Sequence, residues 1–165
     1  MRGPYRRPRG FQAPVPDTRF TDHRGAVNAA LFAAFAPARP DIDYTHFPDD
    51  QHLDHAGTGE EATTVAVREA ANLFYFRSPY SRHFEPNLYF VGTPDLLATK
   101  TAALACFTSQ KQLKMKAFVG LTELAYRQRV HHRVVERFPD GAHGAEMFRT
   151  ARQIVHAIRP AAVCP

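Results

Sequence analysis

A short stretch of the chain concentrates side chains that can bind metal ions or transfer protons. Positions 46 to 55 contain three histidines and three aspartates: His46, Asp49, Asp50, His52, Asp54 and His55. Imidazole nitrogens and carboxylate oxygens serve as zinc ligands and as general acids or bases. A solvated loop is the competing interpretation, because Asp caps helices and both residue types tolerate turns. The stretch is therefore a metal site, a catalytic site or a polar loop.

The spacing of two of these histidines predicts that their side chains lie on the same side of a helix. His52 and His55 are three positions apart. A helix that begins near Asp54 would therefore direct both imidazoles toward the same side. Gly57 and Gly59 follow, and although glycine lowers helix stability, it lets a ligand or a neighbouring backbone approach closely.

Hydrophobic periodicity places this stretch between a strand and a helix. Helical spacing is found around residues 27–35, 62–70, 96–107 and 113–124, and strand-like runs are "DIDYTHF", "LFYFRS" and "NLYFVG". The resulting order of helix, strand, helix, strand, strand, helix, helix predicts an α/β domain with a mostly parallel sheet. Ligands of such folds bind beyond the carboxyl ends of the strands, which is where the His/Asp stretch falls.

Composition limits the classes of protein that fit. A chain of 165 residues that is 44% hydrophobic is ordinary for one globular domain. It contains no apolar run of membrane-spanning length, and "MRGPYRRPRG" lacks the apolar segment of a secretory signal. We therefore expect no membrane span and a cytoplasmic location. The two cysteines, Cys106 and Cys164, are too few for a thiolate zinc site, so His and Asp would hold any metal.

The positive charge is concentrated at the amino terminus. The net charge is +5, and four of the 21 basic residues lie in the first ten positions: Arg2, Arg6, Arg7 and Arg9. The remaining 17 basic residues are nearly balanced by 16 acidic residues, so the rest of the chain is close to neutral. A nucleic-acid-binding domain should carry a basic face. We therefore expect a disordered basic tail at residues 1–12, a folded domain at residues 13–160 and no nucleic-acid partner.

Several segments together resemble a known family. "RPDIDYTH" followed by "DDQHLDHAGTG" is similar to the second signature of the zinc-dependent de-N-acetylases related to N-acetylglucosaminylphosphatidylinositol deacetylase, the PIG-L or LmbE-like family. "VPDTRF", "FEPNLYFVG", "KTAALACFTSQ" and "GAEMFR" resemble other family segments in the family's order. The resemblance covers about residues 14–156 and implies a Rossmann-like, three-layer α/β fold.

The resemblance also implies roles for individual residues. His55 matches the family's zinc ligand from this motif, and His52 matches the histidine that stabilises the tetrahedral intermediate or protonates the leaving amine. Asp54 would orient a histidine, and Asp50 would support the site in an undefined way. Amide hydrolysis needs each of these functions, because a Lewis acid must polarise the carbonyl and a base must activate water.

The sequence departs from the family at its amino-terminal end. The family's first motif, His-Pro-Asp-Asp, supplies two zinc ligands and the general base, and it is not found here. "HFPDD" at residues 46–50 has an extra residue and the wrong place in the order, so we interpret it as the lead-in to the second motif. We expect a sheet without its first β-α-β unit, self-association through the uncovered surface, and weak zinc binding with only His55 identifiable as a ligand.

Three functions remain open after these observations. The first is a metal-dependent hydrolase that removes an acetyl group from an N-acetylglucosamine-type conjugate, in a truncated or incomplete form. The second is a catalytically inactive protein of the same fold that binds the sugar. The third is a module that binds polyanions through its arginine-rich tail.

Overall fold

A computed structural model describes residues 15–70, 72–108, 115–130 and 141–154. The helices are α1 (Arg24–Ala38), α2 (Leu53–Glu69), α3 (Pro94–Ala105) and α4 (Met115–Ala125), with a 3₁₀ turn at Phe20–His23 and a π-helical turn at Tyr126–Val130. The strands are β1 (Ile42–His46), β2 (Asn72–Phe76), β3 (Leu88–Gly92) and β4 (Gly144–Arg152). The chain divides into two compact units, residues 1–84 with 150–165 and residues 85–149.

The strands form a mixed sheet in the order β1-β2-β4-β3. β1 and β2 are parallel, with Ile42 opposite Asn72, whereas β3 and β4 are antiparallel, with Leu88 opposite Phe148. The α/β class agrees with the sequence-based expectation. The expected mostly parallel sheet is not observed, because β4 runs antiparallel to β3. The sequence analysis did not anticipate β4 as a strand.

The first unit folds around an apolar core between α1, α2 and the first two strands. β2 carries three consecutive buried residues, Leu73, Phe74 and Tyr75, which is typical of a strand covered on both faces. Seven buried side chains form the core: Phe35, Phe47, Val65, Ala66, Ala70, Leu73 and Tyr75. α2 packs against α1 on one side and against β1 on the other, so this core fixes where the first turn of α2 lies.

A buried carboxylate connects α1 to α2. Glu61 is 7% exposed, and its two oxygens accept hydrogen bonds from Arg24 Nε at 2.7 Å and from Asn28 Nδ2 at 2.8 Å. Burial of a carboxylate is unfavourable unless it is paired and hydrogen-bonded. These two partners therefore set the register between the helices as well as offsetting the desolvation of Glu61.

In the second unit, the segment "GAEMFR" forms β4. Glu146 and Arg149 are three positions apart, a spacing that also fits a pair on a helix surface, so local spacing alone would favour a helix here. Glu146 instead accepts hydrogen bonds from Lys100 on α3 and from Thr122 on α4. Contacts with distant α3 and α4, which local spacing cannot reveal, decide the conformation instead.

Two expectations concern the ends of the chain and the membrane. The predicted basic tail at residues 1–12 and the last part of the predicted domain, residues 155–160, lie outside the described residues. None of the helices in the described ranges has both the length and the apolar character to cross a membrane. The missing β-α-β unit and the cytoplasmic location stay predictions.

Asp43 makes the stability of the fold depend on pH. Its Oδ2 atom is buried in β1 without a hydrogen-bond partner, and burial raises the pKa of this carboxyl from 3.8 to about 6, against a smaller lowering by the Tyr44 backbone. The folded state therefore binds the Asp43 proton more tightly than the unfolded state does. Its contribution to stability is present below about pH 4 and is lost as pH rises through about 6.

Asp43→Asn should therefore stabilise the protein at neutral pH. We expect a gain of about 1–2 kcal/mol at pH 7, allowing for solvent screening of this partly exposed group, and no gain near pH 4. Urea unfolding at several pH values measures the difference between the variant and the wild type. Asp17→Asn, at an exposed position, is the control, and a gain for Asp43→Asn that does not change with pH would contradict the prediction.

Candidate functional site

The site lies at the carboxyl end of β1, where the connection to α2 meets the loop after β2. Backbone hydrogen bonds join the two loops: Gln51 N donates to Tyr80 O at 3.0 Å, and Arg82 N donates to Asp49 O at 2.8 Å. A β-bridge pairs Asp50 with Ser81. Because both loops follow parallel strands, they meet at the same edge of the sheet.

Asp50 is the polar centre of this junction. Its side chain has no exposed surface. Oδ2 accepts hydrogen bonds from the hydroxyls of Ser78 at 2.5 Å and Ser81 at 2.7 Å, and Oδ1 accepts one from the backbone N–H of His52 at 2.9 Å. Desolvation acts to raise the pKa of Asp50, but the hydrogen bonds outweigh it, and the pKa lies below its usual value. Asp50 is therefore a buried anion at neutral pH.

Three imidazole rings stack beside Asp50. The ring of His55 lies between the other two, with centroids 4.0 Å from His46 and 4.3 Å from His52, and with interplanar angles of 6° and 18°. The ring of Tyr80 lies 6.2 Å from His52 and 6.4 Å from His55. The histidines come from the last residue of β1, the N-cap of α2 and the first turn of α2.

Each of the three stacked histidines has a buried nitrogen without a hydrogen bond. The Nδ1 atoms of His46, His52 and His55 are inaccessible to solvent and have no partner. His55 Nδ1 lies 3.3 Å from Asp50 Oδ1, but the two groups are not aligned for a hydrogen bond. An unsatisfied buried polar group costs about 1–3 kcal/mol. Three such groups in contact indicate a site arranged for something other than stability.

His46 is neutral at physiological pH. Desolvation, together with the neighbouring His55 and His52 rings, lowers its pKa to about 4, although Asp50 acts in the opposite direction. A neutral imidazole has one nitrogen with a free lone pair. His46 therefore carries no positive charge and keeps the lone pair on one ring nitrogen.

Asp54 lies in the same helical turn but makes different contacts. Its carboxylate accepts hydrogen bonds from the backbone N–H of Thr18 at 2.5 Å and of Phe20 at 3.1 Å. These bonds tie the segment before α1 to the first turn of α2. The geometry gives Asp54 a structural function, and its predicted function in orienting a histidine stays a prediction.

Gly59 allows α2 to approach the end of β1. A Cβ atom at this position would lie 2.5 Å from the carbonyl oxygen of His46 and 3.2 Å from the Cα of Pro48. At Gly57 the nearest atom, Cβ of Phe20, would be 3.7 Å away, which is ordinary contact. The expected close approach of a neighbouring backbone therefore occurs at Gly59, and the space at Gly57 admits a methyl group.

The structure brings His52 and His55 together, as their spacing suggested, and adds two residues. His46 stacks on His55, and Asp50 lies beside it, although "HFPDD" had been interpreted as a lead-in. The position of His46 at the end of a strand that pairs in parallel with β2 was the signal that could have placed His46 in the site. Within the described ranges, no three His, Cys, Asp or Glu side chains are arranged to hold a metal ion. Parallel rings explain this, because lone pairs in parallel ring planes do not converge.

Comparison with known proteins shows the fold. No protein-family model and no curated protein matches the chain. The structure is similar to that of GalB, the 4-carboxy-2-hydroxymuconate hydratase from Pseudomonas putida KT2440, with a TM-score of 0.66 and 14% sequence identity. The match covers 82% of this chain and 62% of that chain, so the chain spans less than two thirds of GalB. At this identity, the likeness establishes an α/β fold and nothing about activity.

The contrast between the two glycines gives a test of the site's scaffold. Gly59→Ala should destabilise the protein by about 1–3 kcal/mol, because the new methyl group must displace the backbone that carries His46. Gly57→Ala should raise stability by up to about 1 kcal/mol, because alanine favours the helix. Urea unfolding measures both changes. Equal stability of the two variants would show that α2 does not approach β1 as closely as described.

Proposed function

We propose that the chain contributes the site of a metal-dependent hydrolase that removes an acetyl group from an N-acetylglucosamine-type conjugate. The observation that carries this proposal is the cluster of His46, His52 and His55, with three buried nitrogens that make no hydrogen bond. Its position supports the proposal, since the carboxyl end of a strand and the start of a helix are where α/β folds bind ligands. The resemblance of "DDQHLDHAGTG" to the de-N-acetylase motif supplies the reaction class.

The residue types at the site are those that bind zinc, although the three stacked rings do not converge on one ion. Imidazole nitrogen and carboxylate oxygen are zinc ligands, and the imidazoles lie beside Asp50, whose carboxylate is ionised. His55 would be a ligand, as the resemblance implies, and the other protein ligands are unassigned. A bound zinc ion would polarise the acetyl carbonyl and make its water more acidic.

His52 would act on the reacting group. It is the N-cap of α2, and its imidazole stacks on that of His55. The helix N-terminus carries a partial positive charge, which favours negative charge developing near it. A protonated His52 would donate a hydrogen bond to the oxyanion or a proton to the leaving amine. The partly exposed ring of Tyr80, whose centroid is 6.2 Å from that of His52, would offer a stacking face to a sugar bound beside these histidines.

The fold likeness favours a second candidate. GalB is described as a hydratase, and hydration, like amide hydrolysis, needs an activated water. Parallel assays separate the candidates: the zinc-supplemented chain is incubated with N-acetylglucosamine derivatives and with 4-carboxy-2-hydroxymuconate. Release of free amine supports the hydrolase, and consumption of the muconate supports the hydratase. Sugar binding without turnover would support the inactive sugar-binding protein and contradict our proposal.

The two motif histidines should respond differently to substitution. His55→Ala should lower zinc affinity and activity together, because it removes a ligand. His52→Ala should leave zinc content unchanged and lower kcat by about 10²- to 10³-fold, the usual effect of losing one oxyanion donor or general acid. Zinc analysis and kinetics on each purified variant measure this separation.

The control for these substitutions is His23→Ala, because His23 is exposed and its side chain does not cap α1. We expect wild-type zinc content and activity for it. Equal loss of zinc in His52→Ala and His55→Ala would reject the separate functions of the two residues. An unchanged kcat in His52→Ala would reject its catalytic function.

A further inference from the structure

The family resemblance implies that Asp54 orients a histidine, whereas the contacts in the structure favour another aspartate for this function. Asp54 accepts backbone hydrogen bonds from Thr18 and Phe20 and so connects α2 to the preceding segment. Asp50 lies on the other side of His52 in the sequence, and its carboxylate faces the imidazole cluster. The two aspartates therefore differ in what they contact.

The hydrogen-bond capacity of Asp50 is nearly filled. An ionised carboxylate accepts about four hydrogen bonds. Ser78 and Ser81 donate to Oδ2, and the backbone N–H of His52 donates to Oδ1. The remaining acceptor position is on Oδ1, and His55 Nδ1 lies 3.3 Å from that atom.

His55 has a ring nitrogen that needs a hydrogen-bond acceptor. Its Nδ1 atom is buried and lacks a hydrogen bond, and Asp50 Oδ1, with its remaining acceptor position, is 3.3 Å away. A histidine that donates through one nitrogen keeps the lone pair on the other. Metal-binding histidines are commonly held in this way by a carboxylate.

We propose that Asp50 is the positioning residue of the site, which holds His55 as the Nδ1–H tautomer and leaves Nε2 to bind the metal ion. Ser78 and Ser81 fix the carboxylate, so its direction is set before any ligand arrives. The proposal rests on the proposed function only in its use of His55 as a ligand. The tautomer itself is a property of the free protein.

The test is ¹⁵N NMR of histidine side chains in the full, metal-free chain at alkaline pH, where imidazoles are neutral. His55→Gln identifies the His55 signals by difference. We expect the wild type to show His55 protonated at Nδ1, and Asp50→Asn to shift it toward Nε2–H. Asp50→Asn should also weaken Zn²⁺ binding by about 10- to 100-fold.

A control variant separates positioning from loop structure. Asp49→Asn changes the neighbouring carboxylate, which pairs with Arg82 and His83 and not with His55, and it should keep the Nδ1–H tautomer. A tautomer shift in Asp49→Asn as large as that in Asp50→Asn would overturn the proposal, because loop displacement would then explain the effect.

The wild-type spectrum is decisive even when a variant does not fold. A His55 ring protonated at Nε2 in the wild type overturns the proposal, and so does an unchanged tautomer in folded Asp50→Asn. Turnover of N-acetylglucosamine derivatives by a wild type with Nε2–H would reject this inference and keep the proposed function. An Nδ1–H tautomer without any turnover would reject the proposed function and keep this inference.

Discussion

The site depends on the hydrogen bonds that the buried carboxylate of Asp50 accepts. An unpaired charge without exposed surface would be strongly unfavourable, so the three hydrogen-bond donors around it are required for the loop to fold. Two of these donors, Ser78 and Ser81, lie in the loop after β2, and the third is the backbone N–H of His52, the N-cap of α2. A single group therefore fixes the distance between two loops and the backbone position of His52.

The core of the first unit determines where those loops can meet. β1 and β2 are parallel and in register from Ile42 to His46, so both strands end at the same level. α2 is held against β1 by apolar packing around Val65 and Ala66, which have no exposed surface. The absence of a side chain at Gly59 permits the contact with the His46 carbonyl. Close packing leaves little freedom at this end of the sheet.

The sequence predicted the elements that depend on local pattern. The helical stripe of α1, the strand before the His/Asp stretch and the helix after it all occur, because periodicity and turn residues are local signals. β4 was missed because "GAEMFR" lacks clear alternation and its conformation depends on pairing with β3. The site was predicted in part: the proximity of His52 and His55 follows from helical spacing. The pairing of Asp50 with Ser78 spans 28 residues, and no local rule could have indicated it.

The stacked imidazoles make the site unfavourable for the stability of the fold. His46 is kept neutral, because desolvation and the neighbouring His55 ring lower its pKa to about 4. The Nδ1 atoms of all three rings are buried without a hydrogen bond, and an unsatisfied buried polar group is costly. Violations of packing and hydrogen-bond rules of this kind are expected where selection has acted on binding or catalysis rather than on stability.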